Sequence, residues 1–332
     1  MLALTVSALA AALARADTYS WTNLQSDIPG VALHTDLNLV NSWGMAANST
    51  GSVIWVSDNG TGVSTLYHQD GTALPLVVTI PTSKQNRGTG TPTGIVLNTT
   101  SFFNVALNGN SQPARFIFVS EDGSISGWNP NLDPTHAIIA VDNGTNKGVN
   151  TAVYKGATMG VAGGHNFLFA TNFHTGQVET YNETFQRVNF NGFVDPNLPA
   201  GYAPFGIRNI NGQIYVTYAL QNKKKHDDVA GPGNGFVNVL DTGGNFVKRL
   251  ISTGTSTLHG DLLWSKATNY GSALSATVKS TFTTQRLVPS SDLSAAPTAH
   301  RSNSMDSGTC SFLVMEFTSL PESRMKHTVC LA

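Results

Sequence analysis

The 332 residues carry a formal net charge of −1, and only 12% of them are charged. So sparse and balanced a charge argues against electrostatic capture of nucleic acid or of an anionic membrane surface. With 32 glycines, and a polar surface that must be built from Asn, Thr and Ser, the composition suits turn-rich β structure.

Residues 1–16 read as a secretory leader. Leu2 to Ala14 is an apolar run, and Ala14-Arg15-Ala16 offers a small-x-small cleavage site before Asp17, although no Lys or Arg precedes the run. The run is too short to span a bilayer comfortably, and no later stretch reads as a transmembrane segment. The chain is therefore expected outside the cell. Asn48, Asn98, Asn143 and Asn182 head Asn-x-Ser/Thr sequons and are candidate glycosylation sites. Asn59 heads another, inside a tight Asp-Asn-Gly turn where a structural role fits as well. Asp36 to Val40 alternates polar and apolar residues, the pattern of an edge strand.

From Trp43 onward one signal recurs: a glycine followed by apolar residues, then a strand, a turn and another strand. The four copies are Trp43-Gly44-Met45-Ala46, Thr93-Gly94-Ile95-Val96, Met159-Gly160-Val161-Ala162 and Phe205-Gly206-Ile207-Arg208. Their glycines lie about 45 to 65 residues apart, near the period of one propeller blade per repeat. Each is followed by β-branched and aromatic runs, such as Phe116-Ile117-Phe118-Val119 and Ser124-Ile125-Ser126-Gly127-Trp128. Asp58-Asn59-Gly60, Glu121-Asp122-Gly123 and His174-Thr175-Gly176 fall between the second and third runs, as hairpin turns do. In the fourth copy Gln221 to Gly235 replaces that turn. The fold class is all-β, a β-propeller with about four recognisable blades over residues 17–260. The innermost strands of such a ring crowd its axis, and a glycine allows their close approach.

Residues 261–332 read differently. They hold two of the 32 glycines and neither repeat signal, so they form an irregular low-complexity or disordered tail, or the product of a shifted reading frame. Cys310 and Cys330, the two cysteines of the chain, are compatible with one disulfide in an oxidising compartment.

Asn41-Ser42-Trp43-Gly44, the stretch Asp58 to Tyr67, Glu121 to Trp128, Gly201-Tyr202-Ala203-Pro204-Phe205-Gly206 and Asp227 to Phe236 carry a resemblance. They resemble a family of secreted, functionally uncharacterised proteins of bacteria and fungi, some bacterial members having a C-terminal surface-sorting tail. The resemblance covers about residues 20 to 255 and implies a six-bladed propeller of the TolB-like or NHL-like type. The last two blades of that pattern have no counterpart here, and the resemblance implies no established reaction.

In a four-stranded blade the loop entering the first strand and the loop joining the second to the third share a face. That face gathers Asp58, Asn59, Glu121, Asp122, Asn172, His174, Tyr202, Asp227 and Asp228, and loops on one face of a rigid scaffold are where binding residues concentrate. The primary expectation is a binding or scaffold protein for a glycan, a protein or a small molecule. The alternative is a lactonase- or gluconolactonase-like hydrolase, as in sibling propellers of the resembled family. Asp58, Asp122, Asp227 and Asp228 would then hold Ca²⁺ or another divalent cation through carboxylate oxygens. Each of these acids is equally at home as an ordinary turn residue. Trp43 and Tyr202 are either core packing or platforms for a sugar.

Overall fold

The computed structural model describes residues 19–84, 88–144, 152–229, 231, 234–252, 311–317 and 325–331, with side chains from 22 to 252. The leader and residues 253–310, Cys310 among them, lie outside this description. Among the described residues there is no helix.

Four antiparallel sheets of four strands follow one another along the chain. Blade 1 is Ser42–Ala47, Val53–Asp58, Val63–His68 and Val78–Thr79. Blade 2 is Pro92–Leu97, Phe116–Ser120, Ser124–Trp128 and Ile138–Asp142, with a hairpin, Asn104–Leu107 and Asn110–Pro113, inserted after its first strand. Blade 3 is Tyr154–Ala162, His165–Asn172, Gln177–Tyr181 and Arg187–Val188. Blade 4 is Tyr202–Ile210, Gln213–Leu220, Gly235–Asp241 and Phe246–Ile251. Second strands such as Phe116–Ser120 read as near-continuous apolar runs because neighbouring blades cover both faces. Phe116–Ser120 and Ser124–Trp128 are buried at every position. The hairpin glycines have the backbone these turns require: φ is 85° at Gly123 and 75° at Gly176.

Aromatic and aliphatic side chains fill the space between blades. Trp55 of blade 1 stacks on Phe116 of blade 2 at 4.2 Å and tilts against Trp128 at 4.7 Å. Ile117 and Val119 meet Tyr154 and Leu168 between blades 2 and 3. Phe169 and Phe193 meet Ile214 and Val216 between blades 3 and 4. Each fully buried large side chain stabilises by about 1.5–3 kcal/mol.

The inner strands pass one another in chain order, which makes the arrangement radial. A Cβ on Gly44 would lie 2.4 Å from the Thr93 carbonyl oxygen, one on Gly94 2.5 Å from the Ala157 nitrogen, and one on Gly156 3.1 Å from the Phe205 oxygen. Blades 1 and 4 meet across the axis. Trp43 stacks on Phe205 with centroids 5.5 Å apart, and an Arg208 Nη donates to the Met45 carbonyl at 3.4 Å. This is a β-propeller.

Two expectations are corrected. The axial glycine of blade 3 is Gly156, not Gly160, which instead backs onto the Phe169 ring. Lys155-Gly156-Ala157 lacks the apolar lead-in, so the nearby Met159-Gly160-Val161 matched the signal better. Asp36 to Val40 is a turn rather than a strand: Asp36 accepts from the Asn38 nitrogen at 2.9 Å and from the Leu39 nitrogen at 3.0 Å. The entry strand is Tyr19–Asn23, which pairs antiparallel with Ser311–Phe317. Ser311–Phe317 pairs antiparallel in turn with Met325–Leu331.

Candidate ligand site at the ring centre

Strand register brings the site together. Ser42 pairs with Asp58, Pro92 with Ser120, and Tyr154 with Asn172. The residues next to these pairs therefore recur at one level near the axis. Trp43, Thr93 and Lys155 lie on the inner strands, and Asn59, Glu121 and Phe173 lie where the second strands end.

Lys155 is the centre of the group. Its side chain is 2% exposed, and its ammonium pairs with the Glu121 carboxylate. The Nζ lies 5.0 Å from the Trp43 ring centroid, 5.4 Å from that of Phe205 and 5.8 Å from that of Phe173, a cage that favours a cation through the ring quadrupoles. Glu121 also accepts from Asn59 Nδ2 at 2.9 Å, and the Asn59 oxygen accepts from Asn41 at 3.1 Å. A second carboxylate, Asp227, approaches Nζ at 3.8 Å from the long blade 4 turn. That turn is docked by Gln221, whose Nε2 donates to the Phe173 carbonyl. His226 meets Asp227 at 2.7 Å, and Asn222 donates to it at 3.2 Å. Partial burial pushes the Asp227 carboxyl up, but His226 and Lys155 outweigh it and hold the group below the usual carboxylate range.

The nominated residues divide. Asn59, Glu121 and Asp227 belong to this group. His174 lies at its edge, where its carbonyl is 3.5 Å from Gln221 Nε2, and its Nδ1 is buried without a partner. Asp228 is bridged to Gln221 at the base of the same turn. Tyr202 packs edge-on against Phe236 at 4.7 Å. Asn172 is fully buried, donating to Glu179 at 2.9 Å and accepting from the Val153 nitrogen at 3.2 Å. Asp58 is fully buried within blade 1 and accepts from Ser42 at 2.8 Å and from the Thr65 hydroxyl at 2.7 Å. Asp122 accepts from Ser124 and from the Ser83 nitrogen, tying its own turn.

The proposed cation shell of Asp58, Asp122, Asp227 and Asp228 is thus not assembled, because Asp58 and Asp122 are committed to hydrogen bonds within the scaffold. Among the described residues, the His/Cys/Asp/Glu group that could hold a metal is Glu121, His226 and Asp227, with ligand atoms within 4.8 Å of one another. Lys155 already neutralises its Glu121 member.

Sequence reasoning missed Lys155, His226, Phe173 and Gln221. One signal for Lys155 was available: it is the only charged residue in the run Ala152 to Ala162.

Two sequons are also occupied from within. Asn98 Nδ2 donates to the carbonyls of Phe102 and Ala114 at 2.9 and 2.8 Å. Asn143 Nδ2 donates to the hydroxyls of Tyr154 and Tyr181 at 2.9 and 2.8 Å. Both side-chain nitrogens are thus engaged within the fold.

Fold and site together define a propeller whose central mouth is organised by one buried lysine. No family model matches the chain. It is similar to uncharacterised protein R648 of Acanthamoeba polyphaga mimivirus, 28% identical over 242 residues, covering 71% of this chain and 58% of that protein. It is also similar to uncharacterised protein L690 of the same virus, 28% identical over 233 residues, with 68% and 59% covered. The chain thus spans less than two thirds of the length of these relatives. Among solved structures, the Dos1 propeller overlaps at a TM-score of 0.39 with 9% identity, over 65% of this chain and 51% of that one. The Cps50 (Swd1) β-propeller domain of Myceliophteria thermophila overlaps at 0.37 with 8% identity, over 68% and 59%. Overlaps this loose carry no functional argument.

Proposed function

We propose that the chain is a secreted binding protein that takes its ligand on the loop face around Lys155. The observation that carries this reading is the convergence of all four blades on one cation. Trp43 comes from blade 1, Glu121 from blade 2, Phe173 and Lys155 itself from blade 3, and Phe205 and Asp227 from blade 4. A buried ion pair is a poor way to stabilise a fold, since desolvation offsets much of its attraction. Its place at the mouth of a ring, among aromatic rings and an exposed carboxylate, suits recognition better. Secretion is supported by the leader-like run and the sequons. Among the described residues, no helix is long and apolar enough to cross a membrane.

A glycan array of neutral and acidic saccharides tests the reading. Asp227→Trp places a bulky ring over the mouth at an exposed position. Gln213→Trp does the same on the opposite face. Binding that survives Gln213→Trp and disappears in Asp227→Trp is the expected outcome. Binding unaffected by either variant would move the site off this face.

A metal-assisted hydrolase is the second reading, and the Glu121, His226 and Asp227 group is what favours it. A divalent ion there must displace the Lys155 ammonium from Glu121. Ca²⁺ and Mn²⁺ are therefore expected to leave the melting temperature unchanged. A rise of several degrees at millimolar metal, lost in Asp227→Asn, would restore the hydrolase.

A further inference from the structure

We infer that the ring-centre seat recognises the carboxylate of a small acidic ligand, and that Asp227 holds that ligand's place while the seat is empty of it. This rests on the binding reading above and names its ligand class.

The two carboxylates on Lys155 are unequal. Glu121 is a fixed part of blade 2, with a side chain 12% exposed, and it pairs directly with the ammonium. Asp227 is 61% exposed and stands off at 3.8 Å. Its own turn already satisfies it through His226 and Asn222. Asp227 can therefore leave Lys155 without losing its other partners. With Asp227 so exposed and standing off at this distance, it handicaps a competing carboxylate by a factor of about five at most.

His174 Nδ1, at the edge of the group, is buried without a partner and can donate or accept. Trp43 Nε1 is likewise buried without a partner, although its ring lies against Lys155. An indole N–H only donates, and so does an ammonium. Buried donors call for acceptors, and an acceptor facing an ammonium gains most when it is charged. A carboxylate fits both, with Trp43, Phe173 and Phe205 offering apolar contact to whatever carries it. An ammonium ligand would have to share Glu121 with Lys155, bringing two cations together on one acid.

Three probes of one shape and different charge decide the matter on the full chain: phenylacetate, phenylacetamide and 2-phenylethylammonium, followed by calorimetry at millimolar concentration. Phenylacetate alone is expected to bind, and up to about fivefold more tightly to Asp227→Asn. It is expected to lose binding to Lys155→Met/Glu121→Gln, which removes both charges and leaves no unpaired ion behind. Should that double variant fail to fold, the Asp227→Asn arm decides alone, because an exposed turn residue tolerates the change. The inference is overturned by phenylacetate affinity that does not rise in Asp227→Asn, or that persists in a folded double variant. Binding of the amide or the ammonium in place of phenylacetate also overturns it, yet leaves the loop-face reading standing if Asp227→Trp abolishes that binding. Silence of all three probes overturns the carboxylate seat, and the array then judges the face independently.

Discussion

Asp58 shows what burial does to a charge. It is fully buried, and desolvation pushes its carboxyl up to about 8 against the pull of Thr65 and Ser42, with Asp36 adding to the rise. A protonated Asp58 still has a place for its hydrogen, because Ser42 Oγ can accept it and donate onward to the Leu39 carbonyl at 3.2 Å. The folded chain then holds a proton that the unfolded chain releases above pH ~4. The stability that Asp58 contributes is fullest below that pH, is lost as pH rises toward about 8, and changes no further above it, with a slope of at most ~1.4 kcal/mol per pH unit. Asp58→Asn keeps the hydrogen bonds without the titration. Urea midpoints between pH 5 and 8 should flatten in this variant, which should exceed the parent in stability at pH 8. An unchanged slope would assign the pH dependence to another group. The sequence placed Asp58 in a turn on the ligand face. It gave no sign that Ser42 and Thr65 would draw the carboxylate inward, because that depends on strand register.

At the scale of the element, the repeat glycines were legible because a close approach leaves a mark at every turn of the repeat. Gly44, Gly94 and Gly206 were found this way, whereas Gly156 was hidden by the charged residue before it. The contacts predict unequal costs. Gly94→Ala drives a methyl against the backbone of Gly156 and Ala157, as near as 2.5 Å, where nothing can rotate away. It should cost about 3 kcal/mol. Gly212, at φ 80°, has open space around it, and Gly212→Ala should cost only the left-handed backbone, about 1 kcal/mol. Denaturant unfolding of the two variants checks the difference. Equal costs would mean that the inner strands are not in close contact. The sequons behave similarly: Asn48 and Asn182 sit on partly exposed turns and should carry glycans in a eukaryotic host, while Asn98 and Asn143 should not. Glycopeptide mass spectrometry reads this directly, and an occupied Asn143 would contradict its place on two buried tyrosine hydroxyls.

The whole molecule adds contacts that no local pattern encodes. Blades 1 and 2 are neighbours in chain and in space, so their shared core follows from the repeat. Blades 1 and 4 are far apart in sequence and meet only because the sheets turn about an axis. Their meeting puts Trp43 on Phe205 and encloses Lys155 between them. That is why individual candidates such as Glu121 and Asp227 could be read from their loops, while a lone charge in an apolar strand did not say that Lys155 joins them. Trp43 and Phe205 are core plug and site wall at once, so their coupling measures how firmly the ring is drawn together at its centre. Trp43→Ala, Phe205→Ala and the double variant, followed by thermal or urea unfolding, should show a coupling of about 1 kcal/mol beyond additivity. Lys155→Met should weaken that coupling, because the ammonium spans both rings. Strict additivity would mean that the stack adds nothing to stability, leaving the fourth blade held to the first by other contacts such as Arg208 to the Met45 carbonyl.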